Sequence, residues 1–162
     1  MTGSGSGMIS PPCGSGQIFK GLEVAMLQLI LKDTVTPCRA RMIARAVKSF
    51  LDTFVTSDVL FDLELVLTES CNNAALHAYQ GLPGELEIKL DIVEYDQVAL
   101  QIRDWGREFQ CPWTLPDNNQ ESGRGIYIMR QVMHTFDYSR VEDSNIFSFT
   151  KKVEPEQWKE CI

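Results

Sequence analysis

No apolar run in this chain approaches the roughly 18 to 20 residues that cross a bilayer as a helix. The longest candidate, residues 24–31, is broken by Gln28 and reads better as part of a strand, so no membrane role is expected. Cysteine is sparse and unpaired in pattern: Cys13, Cys38, Cys71, Cys111 and Cys161 are odd in number, widely spaced and without a Cys-x-x-Cys pair. That argues against a disulfide frame or a zinc site and favours free thiols in a reducing compartment. Basic charge is also short, with 15 Lys and Arg against 22 Asp and Glu and a net charge of −7. A surface of that sign repels a phosphate backbone, so direct nucleic-acid binding is not expected. The first sixteen residues repeat Gly and Ser and have no basic start followed by an apolar core, which excludes a secretory signal. Residues 1–16 read as a flexible leader, residues 1–7 of it resembling a cloning remnant ahead of a native start at Met8. A cytoplasmic location follows by elimination. No internal repeat is visible.

The chain does have the makings of one full core. At 162 residues, 44% hydrophobic and 23% charged, it matches a soluble globular protein and is too short for two ordinary domains. Residues 22–31 read as a strand, bounded by Gly21 and Lys32-Asp33. Thr36-Pro37 marks a helix start, because threonine caps free amides and proline is tolerated in the first turn. Ala40, Ile43, Ala44, Val47, Phe50, Leu51 and Phe54 then recur at three- and four-residue steps, opposite Arg39, Arg41, Arg45 and Lys48. Ser57 or Asp58 can cap a second helix running through Leu63, Val66 and Leu67 to about Tyr79, where Gly81 and Pro83 end it.

From Glu85 the pattern alternates: Leu86, Ile88 and Leu90, then Val98, Leu100 and Ile102, an antiparallel pair turning at Tyr95-Asp96-Gln97. No periodic pattern follows until Gly123, and a compact domain rarely keeps so long a loop without a use for it. Ile126, Ile128, Met129, Val132 and Met133 fit a helix face, and residues 135–141 and 146–153 read as two strands around a turn at residues 142–145. The expected fold is an α+β two-layer sandwich: a mostly antiparallel sheet covered by helices on one face.

Three clusters carry chemistry. Glu69, Asn73 and His77 stand at four-residue intervals and should stack on one helix face, a polar line that costs stability unless something binds it. A carboxylate and a carboxamide suit a hydrated magnesium ion. Asp104-x-Gly106 ends a strand, and Gly123-x-Gly125 opens a helix whose amides and dipole can seat phosphate oxygens. Each alone has a plainer reading: a solvated helix face for Glu69 and Asn73, and a turn for either glycine pair. His77 reads more readily as a residue bonded within the helix layer than as a ligand, Trp105 and Trp113 as packing under the loop, and Arg39, Arg41 and Arg45 as a solvated face or a stripe that holds an acidic partner.

Together, in this order, the clusters resemble the ATP-binding fold shared by histidine kinases, gyrase and heat-shock chaperones, and within it the anti-sigma-factor serine kinases. The resemblance spans residues 22–153 and rests on the Glu-x-x-x-Asn-x-x-x-His-Ala-Tyr segment ending at Tyr79, on Gly123-Arg124-Gly125-Ile126-Tyr127-Ile128-Met129-Arg130, and on the ending 145–152. It implies a histidine-kinase-like ATP-binding domain over residues 17–153, with residues 154–162 as a C-terminal tail. It further implies that Asn73 ligates magnesium, that Glu69 orients or deprotonates the attacking hydroxyl, and that Asp104 accepts a hydrogen bond from the adenine amino group while Gly106 admits the base. Residues 107–122 would form a lid. Gly123 and Gly125 would contact phosphate, with Arg124 and Ile126 in the same nucleotide-binding segment, and Ser148 would lie near the adenine. One departure is Glu108, which stands where many relatives carry a second glycine and puts an acidic group near the phosphates.

The expected activity is an ATP- and Mg-dependent protein serine kinase of a bacterial partner-switching system. It would phosphorylate a STAS-type antagonist protein and sequester a sigma factor or other regulator; the sequence leaves open whether it forms a homodimer, although relatives are often dimers. The alternative is a nucleotide-gated binding module that sequesters its partner without transferring phosphate. An ATPase domain cut from a larger machine would call for a transducer domain after the last strand.

Overall fold

The computed structural model describes residues 27–93, 96–110 and 124–160. Five strands form one antiparallel sheet in the order β1-β2-β3-β5-β4. They are β1 (Leu27–Val35), β2 (Gly84–Val93), β3 (Gln97–Asp104), β4 (Thr135–Val141) and β5 (Ser144–Lys152). The helices α1 (Pro37–Leu51), α2 (Ser57–Asn73) and α3 (Arg124–Val132) supply the second layer. The α+β sandwich expected from the alternation is the fold observed.

Its inner face follows from the period of two. Leu86, Ile88, Leu90 and Ile92 of β2, Val98, Leu100 and Ile102 of β3, and Phe147 and Phe149 of β5 are all buried. Ala40, Ile43, Ala44, Val47 and Leu51 of α1 and Val59, Leu63, Val66 and Leu67 of α2 close on them. Thr36 caps α1 as expected, its Oγ1 accepting from the Arg39 amide at 3.2 Å.

Several boundaries differ from the sequence reading, each for a local reason. The first strand was expected to stop at Leu31 but runs to Val35, because Lys32, Asp33 and Thr34 keep the antiparallel register against Glu87, Leu86 and Glu85; residues 22–26 lie outside the described residues, as does the leader. Thr56, rather than Ser57 or Asp58, is the N-cap of α2. That helix does not stay α-helical to Tyr79: Ala74–Ala78 form a π-helical turn in which the Tyr79 amide bonds the Ala74 carbonyl at 3.0 Å. Gln80 and Gly81, at φ 55° and 83°, then end it. Ile128 was expected on the buried face of α3 but is 41% exposed, whereas Ile126 and Met129 are buried.

The last hairpin is tighter than expected. Val141 pairs with Ser144 across a two-residue turn, Glu142 taking φ 54°, so Asn145 belongs to β5 and not to the turn. Residues 154–160 are no loose tail. The Thr56 amide bonds Gln157 O at 2.9 Å, Lys159 N bonds Phe54 O at 2.7 Å, and Trp158, 8% exposed, closes the core beside Val55. Among the described residues no helix is long and apolar enough to cross a membrane.

Candidate active site

Helix α2 passes between the two ends of the expected site. Its Glu69 and Asn73 are half-buried, while Ser70 and Cys71, one step round the helix, face the core. Burial pushes the Cys71 thiol up to about 12, so it is inert as a nucleophile. Ser70 Oγ approaches Met129 Sδ of α3 at 3.5 Å, which fixes α3 alongside α2. Glu69 thereby lies against the start of α3: a methyl group added to Gly125 would stand 2.3 Å from Glu69 Oε2. Arg124 is exposed at that helix start, while the Ile126 side chain is buried in the core and leaves only its backbone to the site.

The far end of the helix meets the Asp-x-Gly turn. A Cβ on Gly106 would come within 2.6 Å of the Ala78 carbonyl carbon, oxygen and Cβ, so only glycine lets β3 end this close to the π-helical turn. The Arg107 amide then bonds Ala78 O at 2.9 Å. Tyr79 completes the join, its hydroxyl donating to Glu85 O at 2.6 Å and accepting from the Trp105 amide at 2.8 Å, with Gly84 packed flat on its ring.

Asp104 is 3% exposed. Its Oδ1 accepts from the Gly106 amide at 3.0 Å and from Asn145 Nδ2 at 2.7 Å. Burial raises its carboxyl above the usual carboxylate range, opposed by those two bonds and by the charge of Arg140. Asn145, Tyr138 and Arg140 were not among the candidate site residues of the sequence reading. The signal was there in part: once the turn is two residues long, Asn145, Phe147 and Phe149 alternate onto the core face, and a buried amide requires partners.

Ser148 corrects the expectation in the other direction. It pairs with Gln101, 3.5 Å away, on the face of the sheet opposite Asp104, because one step along β5 reverses the side chain. The expected packing of Trp105 beneath the loop involves residues outside those described. Trp105 is 37% exposed, carries the Arg103 guanidinium 4.9 Å above its ring, and lines a cleft of about 430 Å³ with Lys32, Asp33, Thr34, Glu85, Leu86 and Glu87. A second cleft, about 240 Å³, is lined by His77, Ala78, Arg107, Glu108, Phe109 and Gln110. His77 is exposed there rather than bonded within the helix layer. Arg39 grips Asp33 with one nitrogen at 2.7 Å from both carboxylate oxygens, and Arg41 and Arg45 are exposed. Gly123, Trp113 and most of the expected lid lie outside the described residues.

The structure thus brings Gly125 against Glu69 in the last turns of α2, and Gly106, with Asp104 beside it, against the π-helical turn that follows Asn73. Among the described residues no cluster of three or more His, Cys, Asp or Glu side chains could hold a metal by itself. The oxygen donors at Glu69 and Asn73 fit a magnesium ion that takes its remaining ligands from phosphate and water.

The profile of the histidine kinase-like ATPase domain matches residues 34–151. The serine-protein kinase RsbW of Bacillus subtilis is 31% identical over 90 residues, 48% of this chain and 56% of that protein. The serine/threonine-protein kinase BtrW of Bordetella bronchiseptica is 30% identical over 104 residues, 59% of this chain and 72% of that protein. The anti-sigma F factor of Anoxybacillus flavithermus is also 30% identical over 104 residues, covering 59% and 71%. The chain spans little more than half the length of the RsbW relatives it matches.

Proposed function

As a member of the histidine kinase-like ATPase domain family, and within it of the anti-sigma-factor serine kinases, this chain is, we propose, an ATP- and Mg-dependent protein serine kinase of a bacterial partner-switching system. The observation that carries the reading is the convergence on the C-terminal end of α2. One helix sets Glu69 against Gly125 and its own π-helical end against Gly106, so two sequence-distant glycine motifs meet the same helix end.

In this reading Asp104 accepts from the adenine amino group, and Gly106 leaves room for the base. The start of α3, with Gly125, receives phosphate oxygens through its free amides. Asn73 holds magnesium, which when bound neutralises phosphate charge and aligns the γ-phosphoryl group. Glu69 orients or deprotonates the serine hydroxyl of the protein substrate; that oxygen forms the new P–O bond as ADP leaves. Positioning and charge neutralisation supply most of such a rate enhancement, so these few residues suffice. The substrate is a STAS-type antagonist, the sequestered partner a sigma factor or similar regulator, and the setting the cytoplasm.

Glu108, in the cleft beside His77, favours a second reading in which the protein binds its partner under nucleotide control without transferring phosphate. Incubating the protein with labelled ATP, magnesium and the antagonist separates the two. The kinase reading expects label on the antagonist, at least about a thousandfold less with Glu69→Gln, and no Mg-dependent nucleotide binding by Asn73→Ala. An unlabelled antagonist held in a stable complex supports the binding module instead.

A further inference from the structure

Asn145 is fully buried, and its amide makes five hydrogen bonds with partners whose chemistry leaves no choice of orientation. Nδ2 donates to Asp104 Oδ1 at 2.7 Å and to Arg107 O at 2.8 Å, both of which can only accept. Oδ1 accepts from Arg140 Nη1 at 2.8 Å, from the Tyr138 hydroxyl at 2.9 Å and from the Phe109 amide at 3.3 Å. The guanidinium and the amide can only donate, so the side chain cannot flip. Arg140 also bonds Gly106 O at 3.2 Å, and Phe109 packs edge-on against Tyr138 and Phe147. Asn145 therefore ties the Asp104 carboxylate to the backbone of residues 106–109.

We propose that Asn145 is a positioning residue for base selection: it holds Asp104 as a pure hydrogen-bond acceptor and so makes the site choose a purine that presents an amino group over one that presents a carbonyl. The inference rests on the nucleotide reading above and deepens it. With Oδ1 occupied by Asn145 Nδ2 and the Gly106 amide, the rotamer of Asp104 is set and Oδ2 remains for a ligand. Adenine offers an N–H donor at the edge that guanine fills with a carbonyl oxygen. Two facing acceptors leave both buried groups unpaired, and sites of this kind discriminate strongly. Without Asn145 the carboxylate can rotate or take a proton, and a protonated carboxyl donates to a carbonyl as readily as an ionised one accepts from an amine.

The test is equilibrium binding of ATP and GTP, by calorimetry with magnesium, to the wild-type protein and to Asn145→Ala, Tyr138→Phe and Val55→Ala. Wild type should prefer ATP, and Asn145→Ala should lower the ATP-to-GTP ratio about tenfold or more, the scale of one lost hydrogen bond to a charged group. Tyr138→Phe, which removes one donor to Asn145 Oδ1, should shift the ratio part of the way. Val55→Ala weakens the core far from the site and should leave the ratio alone. If Asn145→Ala keeps the wild-type ratio, or Val55→Ala shifts it equally, Asn145 is only structural and the proposal is overturned. Should Asn145→Ala not fold, an unchanged ratio in Tyr138→Phe overturns it in the same way. A wild-type protein that binds neither nucleotide removes the underlying reading and this inference with it, whereas ATP preference retained by every variant removes the inference alone.

Discussion

The carboxylate of Glu69 occupies the space that a side chain on Gly125 would need, 2.3 Å from the position of that absent Cβ. Two elements far apart in sequence thus share one small volume, and the sharing has opposite consequences for stability and for chemistry. Gly125 has ordinary negative-φ helical backbone, where alanine usually stabilises by about 0.4–1 kcal/mol. Glu69 can swing away from the new methyl group, since the atom in contact is the far end of a flexible side chain. Gly125→Ala should therefore melt at the wild-type temperature or slightly above it, yet lose at least about tenfold in phosphate transfer. Full activity in a normally folded Gly125→Ala protein would dissociate Glu69 from this helix start.

Gly106 presents the contrary case. Its missing Cβ would meet backbone atoms of Ala78 at 2.6 Å, and backbone cannot step aside. Gly106→Ala should cost about 1–3 kcal/mol by urea denaturation and abolish ATP binding, because β3 must draw away from the helix end. A stability loss below about 0.5 kcal/mol would mean the turn relaxes freely, contrary to the packing described.

Tyr79→Phe deletes a single oxygen that serves two chain segments, Glu85 and Trp105. Both segments lie near the surface, so water recovers part of the loss, and the expected cost is about 1 kcal/mol. Hydrogen exchange should speed up at the Trp105 amide and leave the centre of β3 unchanged. Uniform acceleration through β3 would count against a local latch.

Asp104 makes stability and ligand binding respond to pH in opposite senses. Burial raises its folded-state pKa, so on acidification the folded protein takes up this proton before the unfolded chain does. The unliganded protein should thus gain stability relative to Asp104→Asn as pH falls from about 7 to about 4, and lose that gain as pH rises through the raised pKa. Nucleotide affinity runs the other way, since the adenine contact needs the ionised carboxylate. The groups around it are Arg140 and Tyr138 from β4, Tyr79 from the helix end and the neutral Asn145 from β5; none of the phenols ionises in this range. Parallel urea titrations of the two proteins check the sign, and parallel curves with a constant offset would contradict it.

How much of this was legible in the sequence depended on whether a residue's role is set by spacing or by partners. Thr36-Pro37, the apolar steps of α1 and the alternation of β2 and β3 are local and periodic, and they were read correctly because burial repeats with the same period as the backbone. Glu69, Asn73, Asp104 and Gly106 stand out in the sequence as residue types at intervals, and their roles belong to the proposal. Asn145 was not legible, because an asparagine after Glu142-Asp143-Ser144 looks like turn material, and only the two-residue hairpin turns it inward. Ser148 failed for the complementary reason: its place in the ending motif was visible, but a strand reverses faces at every residue, and motif position says nothing of face. The docking of Trp158 depends on a gap between the α1–α2 turn and the sheet that no local pattern announces.

The π-helical turn at Ala74–Ala78 gives α2 a fixed twist along its length. Such a turn is an α-helix with one residue inserted, and each residue advances the helix by about 100°. Over the five residues from Asn73 to Ala78 an undistorted α-helix would turn the two about 140° apart, whereas the insertion leaves about 40°, so the turn brings the side that meets Gly106 round toward that of Asn73. One inserted residue thus sets Asn73 and Ala78 on neighbouring sides of the helix, which an uninterrupted α-helix of the same sequence cannot do. The length of this segment is itself a specification: removing one residue from it would restore an uninterrupted helix, swing Ala78 away from the end of β3, and separate the two halves of the site while every candidate ligand residue remained in the chain.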